Sequence, residues 1–303
     1  MNVYTDIRDM IGNTPVLQLT HLGLNPDVKI FAKLELYNPA GSVKDRVGKY
    51  MIEDAERKGL LKKGGTIVDA TAGNTGIGIA VAALNRGYKI IFTVPEKFSI
   101  EKQKIMRALG AEIVHTPRAD GMLGAEKTAD EIIAKTEGAI SLRQFKNPAN
   151  PLAHYETTGR EIYEQLDGKI DYLVAGAGSG GTFSGIVKYL KEKDSSIQGV
   201  LADPEGSIIG GGDHHDYDIE GIGNDFIADT MDITLVDKVI KVTDSEAFET
   251  VKLLASKEGV IAGSSSGAAL AASLKLAGQI GKGNIVTVFP DRGDRYLSKG
   301  LFD

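Results

Sequence analysis

Cysteine and tryptophan are both absent from this 303-residue chain. Without cysteine there is no disulfide framework, no thiolate nucleophile and no thiolate-bound metal, whatever the compartment. Long apolar runs are missing too, and none approaches the roughly 18 residues that a membrane-spanning helix needs. There is no basic excess, since 41 acidic side chains face 35 basic ones for a net charge of −6. Neither a nucleic acid nor an anionic membrane surface is therefore an expected partner. The opening MNVYTDIRDMIGNTP is polar and carries acids, unlike a secretory leader, so a cytoplasmic location is the expectation. His214 and His215 invite a metal, but adjacent residues rarely face one ion and no ligand spacing follows, so none is expected. What the chain has in plenty is glycine, 37 residues, gathered in short runs where backbone bends tightly or approaches a ligand closely.

β-rich runs alternate with segments of helical period almost throughout. Val28–Glu35, Thr66–Ala70, Lys89–Val94, Glu112–His115, Asp171–Ala175, Gln198–Ala202, Val239–Val242 and Asn284–Phe289 read as strands. Asp45–Lys58 is amphipathic, with Val47, Met51, Ile52 and Ala55 on one stripe and Gly59 as its stop. Ile100–Leu109, Asp120–Lys135, Pro151–Leu166 and Thr243–Lys257 are also helical, the last opening on a capping box of Thr243 with Glu246. This rhythm predicts an α/β protein of parallel sheets covered by helices. NPANP, residues 147–151, is a proline-bounded break near the middle, and each half carries its own strand–glycine–helix unit. Two domains are expected, 1–145 and 146–303, with ligands bound beyond the carboxyl ends of strands, where the glycine loops fall.

Four loops are candidates for chemistry. Residues 175–182, AGAGSGGT, follow a strand and open a helix, so their N–H groups and the helix dipole make an anion site to which Ser179 and Thr182 add hydroxyls. Gly176, Gly178 and Gly181 also satisfy G-x-G-x-x-G, with Asp203 about 20 residues on. A mononucleotide-like phosphate, a dinucleotide and a purely structural turn all remain open on this loop alone. Residues 69–78, DATAGNTGIG, form a second strand-to-helix cradle better suited to a carboxylate, unless Asn74 or Thr75 merely caps the helix. In residues 38–46, NPAGSVKDR, Lys44 stands at the mouth of a helix. Cations are disfavoured there, which favours the neutral, nucleophilic amine, although a single lysine is ordinarily a solvated surface residue. Residues 263–267, GSSSG, offer a hydroxyl to a buried ligand nitrogen or a serine-rich helix cap.

In order and spacing these four loops resemble the cysteine synthase/cystathionine β-synthase family of pyridoxal phosphate enzymes, of fold type II. The resemblance covers essentially the whole chain and sets the dinucleotide option aside. It implies two helix-covered, parallel-type sheet domains of the tryptophan synthase β-like fold, an active site in the cleft between the domains, and a segment of about 13–34 crossing to the second domain. It implies pyridoxal 5′-phosphate on Lys44 as a Schiff base, with Lys44 also the base that takes the substrate's α-proton. Asn74 then meets the cofactor's 3′-oxygen, while Thr71, Ala72, Gly73, Asn74 and Thr75, with Gln144 of RQFKNPANP, surround the substrate carboxylate. Gly178, Ser179, Gly180, Gly181 and Thr182 cradle the phosphate, and Ser265, or its neighbour Ser266, meets the pyridine nitrogen.

PEKFSIEKQKIMRALGAEIVHTP, NPLAHYETTGREI, DPEGSI and EGIG look more like cystathionine β-synthase than cysteine synthase. Glu220, beside Gly221, stands where cysteine synthases usually have Gln, and is expected to select homocysteine through its amino group unless it is only a solvated acid. The chain starts shortly before IGNTP and ends just after DRYLSKG, so the expectation is a minimal bacterial form, without the haem segment and regulatory module of animal members, preferring O-acetylserine to serine. Ala72 departs from the family's usual Ser. The implied activity is β-replacement giving cystathionine from homocysteine, cysteine from sulfide, and sulfide from cysteine; the implied partners are amino-acid and thiol substrates and a second copy in a homodimer. The alternatives are cysteine synthase as the main activity, a serine or threonine dehydratase, and a catalytically silent sensor or scaffold of sulfur metabolism.

Overall fold

The computed structural model describes residues 3–96 and 98–303. Met1 and Asn2 of the opening stretch, and Lys97 of PEKFSIEKQKIMRALGAEIVHTP, lie outside the described residues. In chain order the elements begin β1 (Val16–Leu19), β2 (Val28–Leu34), α1 (Lys44–Arg57), β3 (Thr66–Ala70), α2 (Asn74–Ala83), β4 (Lys89–Pro95) and α3 (Ile100–Ala108). There follow β5 (Glu112–Thr116), α4 (Gly121–Lys135), β6 (Ala139–Ile140), α5 (Ala149–Ala153) and α6 (Arg160–Gln165). The chain closes with β7 (Tyr172–Ala175), α7 (Gly181–Lys193), β8 (Gln198–Pro204), β9 (Lys238–Val242), α8 (Asp244–Glu258), α9 (Ser264–Ala277) and β10 (Gly283–Phe289).

One unit comprises the chain up to Ile11 together with Lys44–Asn150. Its sheet is wholly parallel, ordered β5-β4-β3-β6. β3 and β4 read as near-continuous apolar runs because almost every side chain in them is buried, as in a sheet covered on both faces. The stripe expected on α1 forms: Val47, Met51, Ile52 and Ala55 are all buried. α1 and α2 meet through glycine. A Cβ at Gly48 would come within 2.4 Å of the Gly78 carbonyl carbon, and one at Gly78 within 2.3 Å of the Lys44 carbonyl oxygen. No side chain fits either place, so α2 lies flush against the first turn of α1.

The other unit comprises Gly12–Val43 and Pro151–Asp303. Its six strands run β1-β2-β10-β7-β8-β9, and all the pairings are parallel except β1 with β2. β1 escapes the sequence pattern because it is short and only Leu19 in it is fully buried, too little for a period to appear. The capping box opening α8 forms, with the Glu246 N–H donating to Thr243 Oγ1 at 3.2 Å and the Thr243 N–H to Glu246 Oε2 at 2.9 Å. The helix expected over Pro151–Leu166 also forms, but between α5 and α6 its turns His154–Gly159 widen to a π-helix. Under β2 lies a buried polar cluster. Lys33 Nζ, wholly buried, donates to the Thr14 carbonyl at 2.7 Å, to Glu161 Oε2 at 2.7 Å and to Gln165 Oε1 at 2.9 Å. Glu161 also accepts the Asn13 N–H at 3.0 Å, so residues 13–14 are tied to both β2 and α6.

Among the described residues, no helix is long and apolar enough to cross a membrane.

Candidate active site

In the first unit the helix starts carry the candidate groups. Lys44 is the first residue of α1 and is half-buried, with Asp45 and Arg46 fully buried behind it. Asn74 is the first residue of α2. The helix cap is Gly73, in extended conformation, and no side chain caps it, so neither Asn74 nor Thr75 serves as a cap. The Thr75 hydroxyl instead donates to Gln144 Oε1 at 2.6 Å, joining the 71–75 loop to the segment that follows β6.

That segment is held by Asp69, at the end of β3, which the sequence reading did not single out. Its carboxylate accepts from the Ser141 hydroxyl at 2.6 Å and from the N–H groups of Leu142 and Arg143 at 3.1 and 3.3 Å. Burial pushes the Asp69 carboxyl above its ordinary value, against the pull of these donors. The Asn150 amide donates to the Gln144 carbonyl at 2.9 Å, closing the clamp from the other side. The result is a cavity lined by Asp69, Thr71, Thr75, Ser141, Arg143 and Gln144. Ala72, buried beside Thr71, brings no hydroxyl to it. The signal available in the sequence was an acid ending an otherwise apolar strand.

In the second unit, residues 176–182 run from β7 into α7. The loop's carbonyls are consumed from one side: Ala177 accepts from the Gly223 N–H at 2.7 Å, Gly178 from the Asn224 amide at 2.7 Å and Ser179 from the Thr230 hydroxyl at 2.5 Å. The N-cap is Gly180, without a capping side chain, so the start of α7 offers its first N–H groups and its positive dipole end to an anion. At Gly178 a Cβ would stand 2.6 Å from the Gly221 carbonyl oxygen, so the EGIG segment is packed directly on the loop. Asn224 and Thr230, which shape this cradle from the far side, carry no motif of their own.

The same segment reaches the fourth loop, because the Glu220 N–H donates to Ser264 Oγ at 3.0 Å. The Glu220 carboxylate pairs with Lys299, 79 residues further on, and is only a quarter exposed. It is therefore not a freely solvated acid. Ser264, Ser265 and Ser266 form the buried first turn of α9, and Ser266 Oγ is a buried atom without a hydrogen-bond partner. His214 and His215 turn their Nδ1 atoms to the carbonyls of Gly206 and Asp216, each at 3.0 Å.

A profile of the family described as "Pyridoxal-phosphate dependent enzyme" matches residues 7–291. The chain belongs to the pyridoxal-phosphate dependent enzymes. It is 52% identical over its whole length to the O-acetylserine dependent cystathionine beta-synthase of Bacillus subtilis (strain 168), covering 99% of that protein. It is 45% identical to a cysteine synthase of Helicobacter pylori (strain J99), with 99% of each chain covered. A crystal structure of the O-acetylserine dependent cystathionine beta-synthase from Helicobacter pylori matches it with a TM-score of 0.95 at 44% identity, covering all of both chains. The two mostly parallel, helix-covered sheets are those of a fold type II enzyme, as the loops led one to expect.

The residues present fit a pyridoxal phosphate. The 176–182 loop, carbonyls turned to protein and helix start uncapped, suits a phosphate dianion, and the first turn of α9 holds hydroxyls for a ring nitrogen. Gly178→Ala is expected to weaken cofactor binding at least about tenfold, because the new methyl must displace the Gly221 carbonyl or the loop itself. Titrating the cofactor-free variant with pyridoxal phosphate, followed by absorbance, checks this; an unchanged affinity would separate the loop from the phosphate.

Proposed function

We propose that this pyridoxal-phosphate enzyme performs β-replacement on O-acetylserine or serine. The group on the β-carbon leaves and the thiol of homocysteine takes its place, giving cystathionine. Sulfide serves as a second nucleophile, giving cysteine, and cysteine in turn releases sulfide when the thiol of homocysteine takes its place on the β-carbon. The observation that carries this is the 52% identity, over the full length, to a Bacillus protein named for that activity. A homodimer in the cytoplasm belongs to the same proposal, and sedimentation velocity checks the first part of it.

The cofactor, when bound, supplies an electron sink that eases departure of the substrate's α-proton. Lys44 holds the cofactor through its ε-amine and carries the proton at the α-carbon. Thr71, the backbone of Ala72 and Gly73, Asn74, Thr75 and Gln144 hold the substrate carboxylate, and Asn74 also reaches the cofactor's 3′-oxygen. Gly178, Ser179, Gly180, Gly181 and Thr182 take the phosphate. Ser265, or its neighbour Ser266, takes the ring nitrogen; a neutral hydroxyl does not keep a proton there as a carboxylate does, which favours loss of a good β-leaving group over amino transfer. Ala72, lacking the usual hydroxyl, bears on the choice between O-acetylserine and serine.

Glu220, with Gly221 beside it, selects the second substrate by accepting a hydrogen bond from the amino group of homocysteine, which sulfide lacks. Glu220→Gln is accordingly expected to lower kcat/KM for homocysteine about tenfold, the value of a charge-assisted hydrogen bond, and to leave sulfide within about twofold. Equal losses for both nucleophiles would remove Glu220 from this role. The activity itself is tested by giving the enzyme O-acetylserine with homocysteine and sulfide in competition. Cystathionine is the expected main product. Mostly cysteine would make it a cysteine synthase, pyruvate from serine without any thiol a dehydratase, and no product from cofactor-loaded protein would overturn the proposal.

A further inference from the structure

We infer that His154 sets the direction of the proton at the phosphate loop: its Nε2–H donates to Thr182 and so frees the Thr182 hydroxyl proton for a phosphate oxygen. His154 is wholly buried, with Nδ1 2.9 Å from Thr158 Oγ1 and Nε2 3.2 Å from Thr182 Oγ1. Thr158 is wholly buried as well. The contact is built into the packing. His154 opens the π-helical stretch, a form found mostly as single turns and often at functional sites. One turn along α7 from Thr182 stands Gly185, where a Cβ would lie 2.2 Å from the Pro151 carbonyl oxygen and 2.8 Å from His154 Cβ. The missing side chain lets the imidazole come down to the start of α7.

With the imidazole neutral, one ring nitrogen donates and the other accepts, so these two contacts can run in either of two directions. In one, Thr158 donates to Nδ1 and Nε2–H donates to Thr182, whose own proton then points onward. In the other, Nδ1–H donates to Thr158 and Nε2 accepts the Thr182 proton, leaving oxygen lone pairs to face the anion. Thr182 lies in the first turn of α7, at the uncapped positive end of the helix dipole, where an anion is stabilised and needs donors rather than acceptors. The first arrangement gives the anion its donor. His154 is thus a positioning residue, acting through Thr182.

The inference rests on residues 178–182 holding the cofactor phosphate, and its test separates the two. Cofactor-free protein is titrated with pyridoxal phosphate and with pyridoxal, which lacks the phosphate. His154→Phe is expected to weaken pyridoxal phosphate roughly tenfold, about one hydrogen bond, and to leave pyridoxal unchanged. His154→Gln, whose amide can replace Nε2–H, should recover the affinity to within about threefold. In a Thr182→Val background, His154→Phe should cost less than about twofold more. Nitrogen-15 correlation spectra of the wild-type histidines should show Nε2 protonated and Nδ1 bare, a readout that needs no variant. A protonated Nδ1, equal losses for both ligands, or an undiminished loss in the Thr182→Val background would overturn the inference. Wild-type protein with no preference for the phosphorylated ligand would instead remove the phosphate assignment, and the inference with it.

Discussion

Lys44→Ala is expected to lower turnover by at least about 10³-fold and to abolish covalent retention of the cofactor, while the protein still folds. A positioned proton carrier contributes about 10² to 10⁴ in rate, and in the proposed reaction the same amine also anchors the cofactor. The fold survives because the place of residue 44 is set by backbone: its carbonyl abuts Gly78 at the α1–α2 crossing, and alanine is the best of helix formers. Borohydride reduction followed by mass spectrometry of the peptides reads the covalent link directly. Wild-type protein should carry one cofactor on the peptide containing Lys44, and the variant none. Near-normal turnover in the variant would sink the central assignment.

The largest effect on stability is expected from Lys33→Met, at about 3–5 kcal/mol. Lys33 contributes three donated hydrogen bonds from a fully buried ammonium, to a backbone carbonyl, a carboxylate and an amide. Methionine matches much of its volume but leaves the buried Glu161 carboxylate without this cation, and removing one partner of a buried ion pair is strongly destabilising. Urea unfolding followed by far-ultraviolet circular dichroism measures the loss. Adding Glu161→Gln should restore part of it, because the second change removes the stranded charge. If Lys33→Met costs less than about 1 kcal/mol, the cluster is not the tie between residues 13–14, β2 and α6 described above.

Much of this protein is legible locally. The α1 stripe of Val47, Met51, Ile52 and Ala55, the Thr243–Glu246 capping box and the strand–glycine–helix turns at 69–78 and 175–182 are patterns whose physical causes act within a few residues. Four such loops in one order carry the family, and with it the cofactor. Residues with no short-range pattern were missed: β1 is too short to display a period, and nothing near Asn224 or Thr230 announces that each holds a carbonyl of the 176–182 loop.

The sequence by itself determined the α/β class, the parallel sheets and the helix starts at which Lys44, Asn74 and Thr182 stand, because periodicity and turn chemistry are local. Only the tertiary structure decided which distant residues pair with one another. Asp69 grips residues 141–143, Glu220 pairs with Lys299, Lys33 joins Glu161 and His154 reaches Thr182. Each is a hydrogen bond or ion pair between residues tens of positions apart, and one polar side chain in a sequence does not say which distant partner burial will bring to it.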